Sequence, residues 1–171
     1  MNPAPLSFND PKGDAAVIPD GTATTFWQPV PANGSVECIL SPKTVRTVQR
    51  FSTGTQTLPP GGRVRLHAHD AAEEVFYVLE GTGIAELDGQ SHRMARGSTV
   101  YLGHNVQHTF INDGDTDLKW VWFFMPGGLE DFFAAIGRPR VVGEPAPAPF
   151  PRPSDVAQIE ADTVFADIGA R

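Results

Sequence analysis

All five histidines of this 171-residue chain fall between positions 67 and 108, and three of them stand with a glutamate at spacings that gather metal-binding groups. The two stretches concerned read GGRVRLHAHDAAEEVFYVLEG (residues 61–81) and GSTVYLGHNVQHTFIN (residues 97–112). His67 and His69 alternate in an apolar, β-prone run, so a strand there sends both imidazoles off one face, about 7 Å apart. Asp70-Ala71-Ala72 can turn the chain back, and Glu74 then opens a predicted strand, Val75 to Leu79, that ends at Gly81. His108, in a strand predicted over Val106 to Ile111, completes the set. Three neutral nitrogens and one carboxylate oxygen suit one divalent transition ion per chain, Fe, Ni, Mn, Co, Cu or Zn, better than Ca or Mg.

These stretches resemble the paired motifs of the cupin superfamily. The first motif runs glycine, five residues, His-x-His, three or four residues, Glu, six residues, Gly, and Gly61, His67, His69, Glu74 and Gly81 match it throughout. Spacing to Gly81 selects Glu74 over its neighbour Glu73. In the second motif Gly97, His108 and Asn112 match, while Gly103 stands in place of the family's proline and Asn105 in place of its second glycine. Asparagine tolerates a left-handed backbone almost as glycine does, so the turn is expected to survive. The resemblance covers roughly residues 35 to 125. It implies an all-β fold, a double-stranded β-helix or jelly-roll barrel of the RmlC-like kind, with His67, His69, Glu74 and His108 as metal ligands. It also implies a homodimer, since cupins commonly pair through barrels and exchanged arms.

The remaining sequence agrees with such a barrel and fixes its limits. Residues 1–20, rich in Pro, Asp and Gly, read as an extended N-terminal arm; 21–126 as the barrel; 127–171 as a C-terminal helix, Pro-rich linker and tail. Short β-prone runs, Thr22 to Trp27, Ser35 to Leu40, Val45 to Phe51 and Thr55 to Leu58, lead to the break Pro59-Pro60-Gly61-Gly62. Further strands are predicted over Thr82 to Leu87, Ser91 to Met94 and Leu118 to Met125, with Asp88-Gly89 as a tight hairpin turn. Only fifteen residues separate Gly81 from Gly97, which excludes an inserted domain. Many short strands and few helices argue for a double-sheet jelly roll. Leu129 to Ile136 reads as a helix with acids in its first turn and Leu129, Phe132, Phe133 and Ile136 on one face, stopped by Gly137 and Pro139. Ser154 is placed to cap a second short helix running to about Glu160.

Thirteen basic against twenty acidic side chains give a formal charge of −7, and no basic stretch tracks phosphates, so nucleic acid is not an expected partner. No helix-turn-helix segment points to a transcription regulator. The single cysteine, Cys38, fits a reducing cytoplasm and a small apolar role in a strand. Neither a secretory leader nor an apolar run near 18 residues is seen, so no membrane association is expected.

Strand parity nominates the groups around the ion. Arg63 and Arg65 share the face of His67 and His69, and Arg65 is the candidate to pair with a substrate carboxylate or phenolate, while Arg63 reads as exposed. Phe76 shares a face with Glu74, and Phe110 with His108. Trp120, Trp122 and Phe124 alternate on one face of their strand, making Trp122 a further candidate for the pocket. Arg65, Phe76, Phe110 and Trp122 are thus the expected substrate-binding residues, and Glu74 the expected catalytic one, as a general base. His92 and His104 match no ligand position. The segment from Pro126 to Phe133, a Pro-Gly-Gly turn and an acidic double-Phe helix, is similar to the stretch after the barrel in quercetinase-like cupins, which are metal-dependent dioxygenases. Three functions stay open: a dioxygenase on an aromatic or enolisable small molecule, a redox-neutral lyase, isomerase or decarboxylase, and a non-catalytic small-molecule-binding protein.

Overall fold

The computed structural model describes residues 4–168 and is built almost wholly of antiparallel strands. Seven of them make one sheet: β1 (Thr24–Trp27), β2 (Ser35–Leu40), β3 (Ser52–Leu58), β4 (Glu73–Glu80), β7 (Thr99–Leu102), β9 (Leu118–Met125) and the two-residue β10 (Arg138–Pro139). Their spatial order is β10-β1-β2-β3-β9-β4-β7. A second sheet takes β5 (Thr82–Leu87), β6 (Gln90–Ala95) and β8 (His108–Ile111) in the order β6-β5-β8. Two helices follow the barrel, α1 (Leu129–Ile136) and α2 (Val156–Ala161). The fold is an all-β jelly roll with a short C-terminal helix.

Alternation decides which side chains fill the space between the sheets. Along β9 Leu118, Trp120, Trp122 and Phe124 are buried while Lys119, Val121, Phe123 and Met125 are only half-buried. The inward set meets Val36, Leu58, Phe76, Val78 and Phe110 in one hydrophobic core. Burying a large apolar side chain stabilises by about 1.5–3 kcal/mol, so this stripe anchors the barrel.

The chain crosses from one sheet to the other at Gly81, whose φ is +77°. A Cβ there would lie 2.2 Å from the Asp117 carbonyl oxygen, so only glycine fits. Asp88 and Gly89 both have positive φ, 46° and 78°, as the tight turn between β5 and β6 demands. Asn105 likewise adopts φ +62°, which preserves the turn where the resemblance leads one to expect glycine. Asn112, fully buried, donates to the carbonyls of Leu58 and Thr116 at 2.8 Å each and accepts from the Gly114 amide at 3.0 Å. It ties the end of β8 to the end of β3.

Several local expectations need correction. Val45 to Phe51 forms turns and irregular chain, and the strand begins only at Ser52, where pairing with β9 runs from Ser52↔Phe124 to Leu58↔Leu118. His67 and His69 do not lie in a strand; the segment touches the sheet through the isolated bridges Arg63↔Ile111 and His67↔His108. Strand β8 starts at His108 rather than Val106, and β7 was not anticipated. Ser154 does not cap α2: Asp155 is the N-cap, and it makes no side-chain bond. Residues 4–20 form no helix or strand and are almost wholly exposed, touching the rest of the chain where the Leu6 amide meets the Thr47 carbonyl at 3.2 Å and Arg46 pairs with Asp14 at 2.6 Å. Among the described residues no helix is long and apolar enough to cross a membrane.

Candidate metal centre and its cavity

His67, His69, Glu74 and His108 are all buried, and one ligand atom from each lies within 4.8 Å of the others. The backbone, not a regular strand, puts them there. His67 and His108 exchange both backbone hydrogen bonds, at 3.1 and 2.8 Å, which brings their rings to a centroid distance of 4.0 Å. His69 follows on the same segment, with its carbonyl accepting from the Asn105 amide at 2.6 Å and its ring edge-on to Phe124 at 4.9 Å. Glu74 enters from β4 opposite Leu102 and Phe124.

Each imidazole has its Nδ1 against a backbone carbonyl: His67 on Arg65 at 2.8 Å, His69 on Val164 at 2.6 Å, His108 on Val106 at 2.9 Å. A carbonyl only accepts, so each Nδ1 carries the proton and each Nε2 presents a lone pair inward. This is the outer arrangement that orients metal-binding histidines. Nε2 of His69 and of His108 and Oε2 of Glu74 are buried with no hydrogen-bond partner. The two nitrogens stand 3.6 and 3.3 Å from that oxygen, too far or too poorly aimed to bond it. Orphaned buried acceptors are costly, and convergent ones fit a cation. The four residues therefore fit a divalent transition ion on their chemistry and protonation alike.

Charge states agree. Burial above all, then the neighbouring His108 and His69, pushes His67 well below the ordinary imidazole range, so it is neutral at physiological pH. Burial works to raise the Glu74 carboxyl, and what holds it low is a donor or positive charge at the facing His108 and His69 positions, which a cation between them would supply. Glu74 is a carboxylate throughout the neutral range.

A cavity of about 70 Å³ opens over His67 and Glu74. That is several times the roughly 10–15 Å³ needed to admit one water. Phe76 and Phe110 line it, as do Arg65 and Arg63. Trp122 does not line it: the indole packs on Phe133 at 5.8 Å, beneath α1. Helix α1 closes one side with Leu129, Phe132, Phe133 and Ile136, the four residues of its apolar face. Opposite, Gln56 donates to Gln28 at 2.9 Å, both on the cavity wall. Glu73, exposed, accepts from the Tyr101 hydroxyl at 2.9 Å, while His92 and His104 are exposed away from the site.

The C-terminal segment is the part of the site that sequence reasoning missed. After Phe150, itself buried under Arg138 at 4.0 Å, the chain runs through α2 and lays Phe165 over the cavity. The Phe165 ring sits 4.4 Å from Phe132, 5.2 Å from His67 and 5.0 Å from His69. The Ala166 amide donates to the Ala68 carbonyl at 2.9 Å. Arg152 and Arg65 both reach Glu160 Oε1. The only sequence signal was an apolar Val164-Phe165 pair at the end of a polar tail.

A jelly roll holding a His-His-Glu-His set at its centre defines the class of metal-binding cupins. Comparison with known proteins agrees: the Cupin domain profile matches residues 54–124. Protein SchB of Streptomyces halstedii is 32% identical over 93 residues, covering 54% of this chain and 67% of its own. An oxalate-binding protein of Thermotoga maritima is 33% identical over 64 residues, 37% of this chain and 53% of its own. The chain thus spans between half and about two thirds of the length of these curated relatives. The crystal structure of a predicted oxalate decarboxylase from Thermotoga maritima superposes with a TM-score of 0.54 at 25% identity, over 64% of this chain and 97% of that one. The chain belongs to the cupin superfamily.

Proposed function

We propose that the chain is a metal-dependent dioxygenase acting on an aromatic or otherwise enolisable small molecule. The observation that carries the reading is the set of partnerless buried acceptors of His69, Glu74 and His108 beneath a cavity walled by Phe76, Phe110, Phe132 and Phe165. A bound divalent transition ion supplies Lewis acidity and, for Fe, Ni, Mn, Co or Cu, redox chemistry as well. The phenyl rings, set edge to face at 60° in the pairs Phe76–Phe110 and Phe132–Phe165, supply an apolar lining suited to an apolar or aromatic body. Glu74, on the cavity floor beside the ion site, is the carboxylate placed to accept a proton from a substrate hydroxyl whose acidity a bound ion would raise. Likeness to quercetinase-like cupins between Pro126 and Phe133 adds support.

A redox-neutral decarboxylase or lyase is the second reading. The superposition on a predicted oxalate decarboxylase favours it, as do the arginines on the cavity wall. Metal content by mass spectrometry, on untagged protein beside a His67→Ala/His69→Ala variant, comes first, followed by oxygen uptake with flavonoids and other phenols. Stoichiometric redox-active metal lost in the variant, with substrate-dependent oxygen consumption, is expected. Turnover with Zn and without oxygen would transfer the assignment to the second reading.

A further inference from the structure

The charge on the cavity wall opposes that of the molecule. The chain carries a formal −7, yet the charged residues lining the cavity are three arginines, Arg63, Arg65 and Arg152, against the single carboxylate Glu74. With a divalent ion at the floor that carboxylate is offset, and the arginines remain. Arg65 comes from the histidine segment and Arg152 from the C-terminal segment, 87 positions later in the sequence (152 less 65). Both guanidiniums converge on one oxygen, Oε1 of Glu160, which therefore leaves the group of three with a net positive charge. All three side chains are largely buried, between 18% and 31% exposed. Arg65 spends another N–H on the Leu66 carbonyl at 3.1 Å and lies over the Phe165 ring at 5.5 Å, so its guanidinium is fixed in place. Planar, immobilised guanidinium forks are the groups that read a carboxylate.

We propose that Arg65 and Arg152 form a carboxylate-binding subsite, in which Glu160 stands in for the carboxylate of a small acid whose apolar body lies against Phe76, Phe110 and Phe165. The substrate class of the proposed enzyme is then a small organic acid with an apolar or aromatic body. An entering acid takes over guanidinium N–H groups that Glu160 now holds, and Glu160 swings outward to solvent. The subsite rests on the reading of the cavity as a substrate site, but on neither the identity of the ion nor the reaction.

Calorimetric titration tests it, using the full chain as purified and again after removal of metal. The probes are butyrate and benzoate, each beside its neutral amide, butyramide or benzamide. In both forms of the protein at least one acid is expected to bind about tenfold or more tighter than its amide, as a charge-assisted bond predicts. Arg65→Gln and Arg152→Gln are each expected to abolish that preference while leaving amide binding unchanged, which also reports that the variants are folded. Glu160→Gln discriminates most sharply. Removal of the internal competitor should tighten acid binding about threefold or more, whereas a carboxylate that merely clasps the tail would weaken it on substitution. Equal binding of acid and amide, no saturable binding of either acid, or weaker acid binding in Glu160→Gln would overturn the subsite. Metal content, measured separately, decides the enzyme reading, so the two fail independently.

Discussion

The floor and the mouth of the cavity are held by different forces. At the floor, His67 and His108 are locked together by a pair of backbone hydrogen bonds inside the barrel, and β4 delivers Glu74 from a strand paired on both edges. At the mouth, residues 150–167 hold through a ring contact between Phe165 and Phe132, the Glu160 ion pairs and isolated hydrogen bonds, from the Val30 amide to the Phe150 carbonyl, from His69 Nδ1 to the Val164 carbonyl and from the Ala166 amide to the Ala68 carbonyl. Ladders and packed cores are cooperative; a tail held by a few side chains can open without the rest. The ligands thus occupy the part of the molecule least able to move, and the covering occupies a part that can.

Substitutions ranked by expected cost test that contrast. Gly81→Ala should be the most damaging, about 3 kcal/mol or more in denaturant unfolding, because it combines a left-handed backbone with a Cβ driven into the Asp117 carbonyl. Asn112→Ala should cost about 2–3 kcal/mol in the same assay, since it strands two buried carbonyls and an amide. Phe165→Ala, at the half-buried mouth, should cost about 1–2 kcal/mol, below the usual figure for a buried phenylalanine, and should weaken metal retention without abolishing it. Gly143→Ala, in the linker, should cost about 1 kcal/mol or less, because its φ of +91° is the sole penalty and nothing lies near the added methyl. If Phe165→Ala were to unfold the barrel, or Gly81→Ala to be silent, the division into a rigid floor and a detachable mouth would be wrong.

The same division separates what the sequence disclosed from what it did not. His67, His69, Glu74 and His108 were legible because two ordered motifs carry them, and the strand parity argued for His67 and His69 played no part, since neither lies in a strand. The burial pattern of β9 followed from alternation, though only the structure shows that the even-numbered set faces inward. Trp122 shared that face and still missed the cavity, because α1 lays Phe133 between it and the open space. Parity fixes a face but not a depth. Arg152, Glu160 and Phe165 were illegible for a different reason: the tail reaches the histidines by a long excursion, and no local pattern in a Pro-rich segment says where it will dock. The strand expected over Val45 to Phe51 failed where β-prone residues had no neighbouring strand to pair with.

Two bonds cross from the mouth to the histidine segment, one from the Ala166 amide to the Ala68 carbonyl and one that reaches a candidate ligand itself. The proton on His69 Nδ1 goes to the carbonyl of Val164, so a peptide group of the tail selects the tautomer of a floor ligand. A cation at Nε2 draws electron density from the ring and makes Nδ1–H a stronger donor, which tightens that bond. Linkage then runs both ways: the free energy that a docked tail adds to ion binding equals the free energy that the ion adds to docking. With an ion bound, ion and tail would be each other's effectors. A chelated sample should surrender its last residues to a protease sooner than a metal-replete one, while the barrel beneath stays whole.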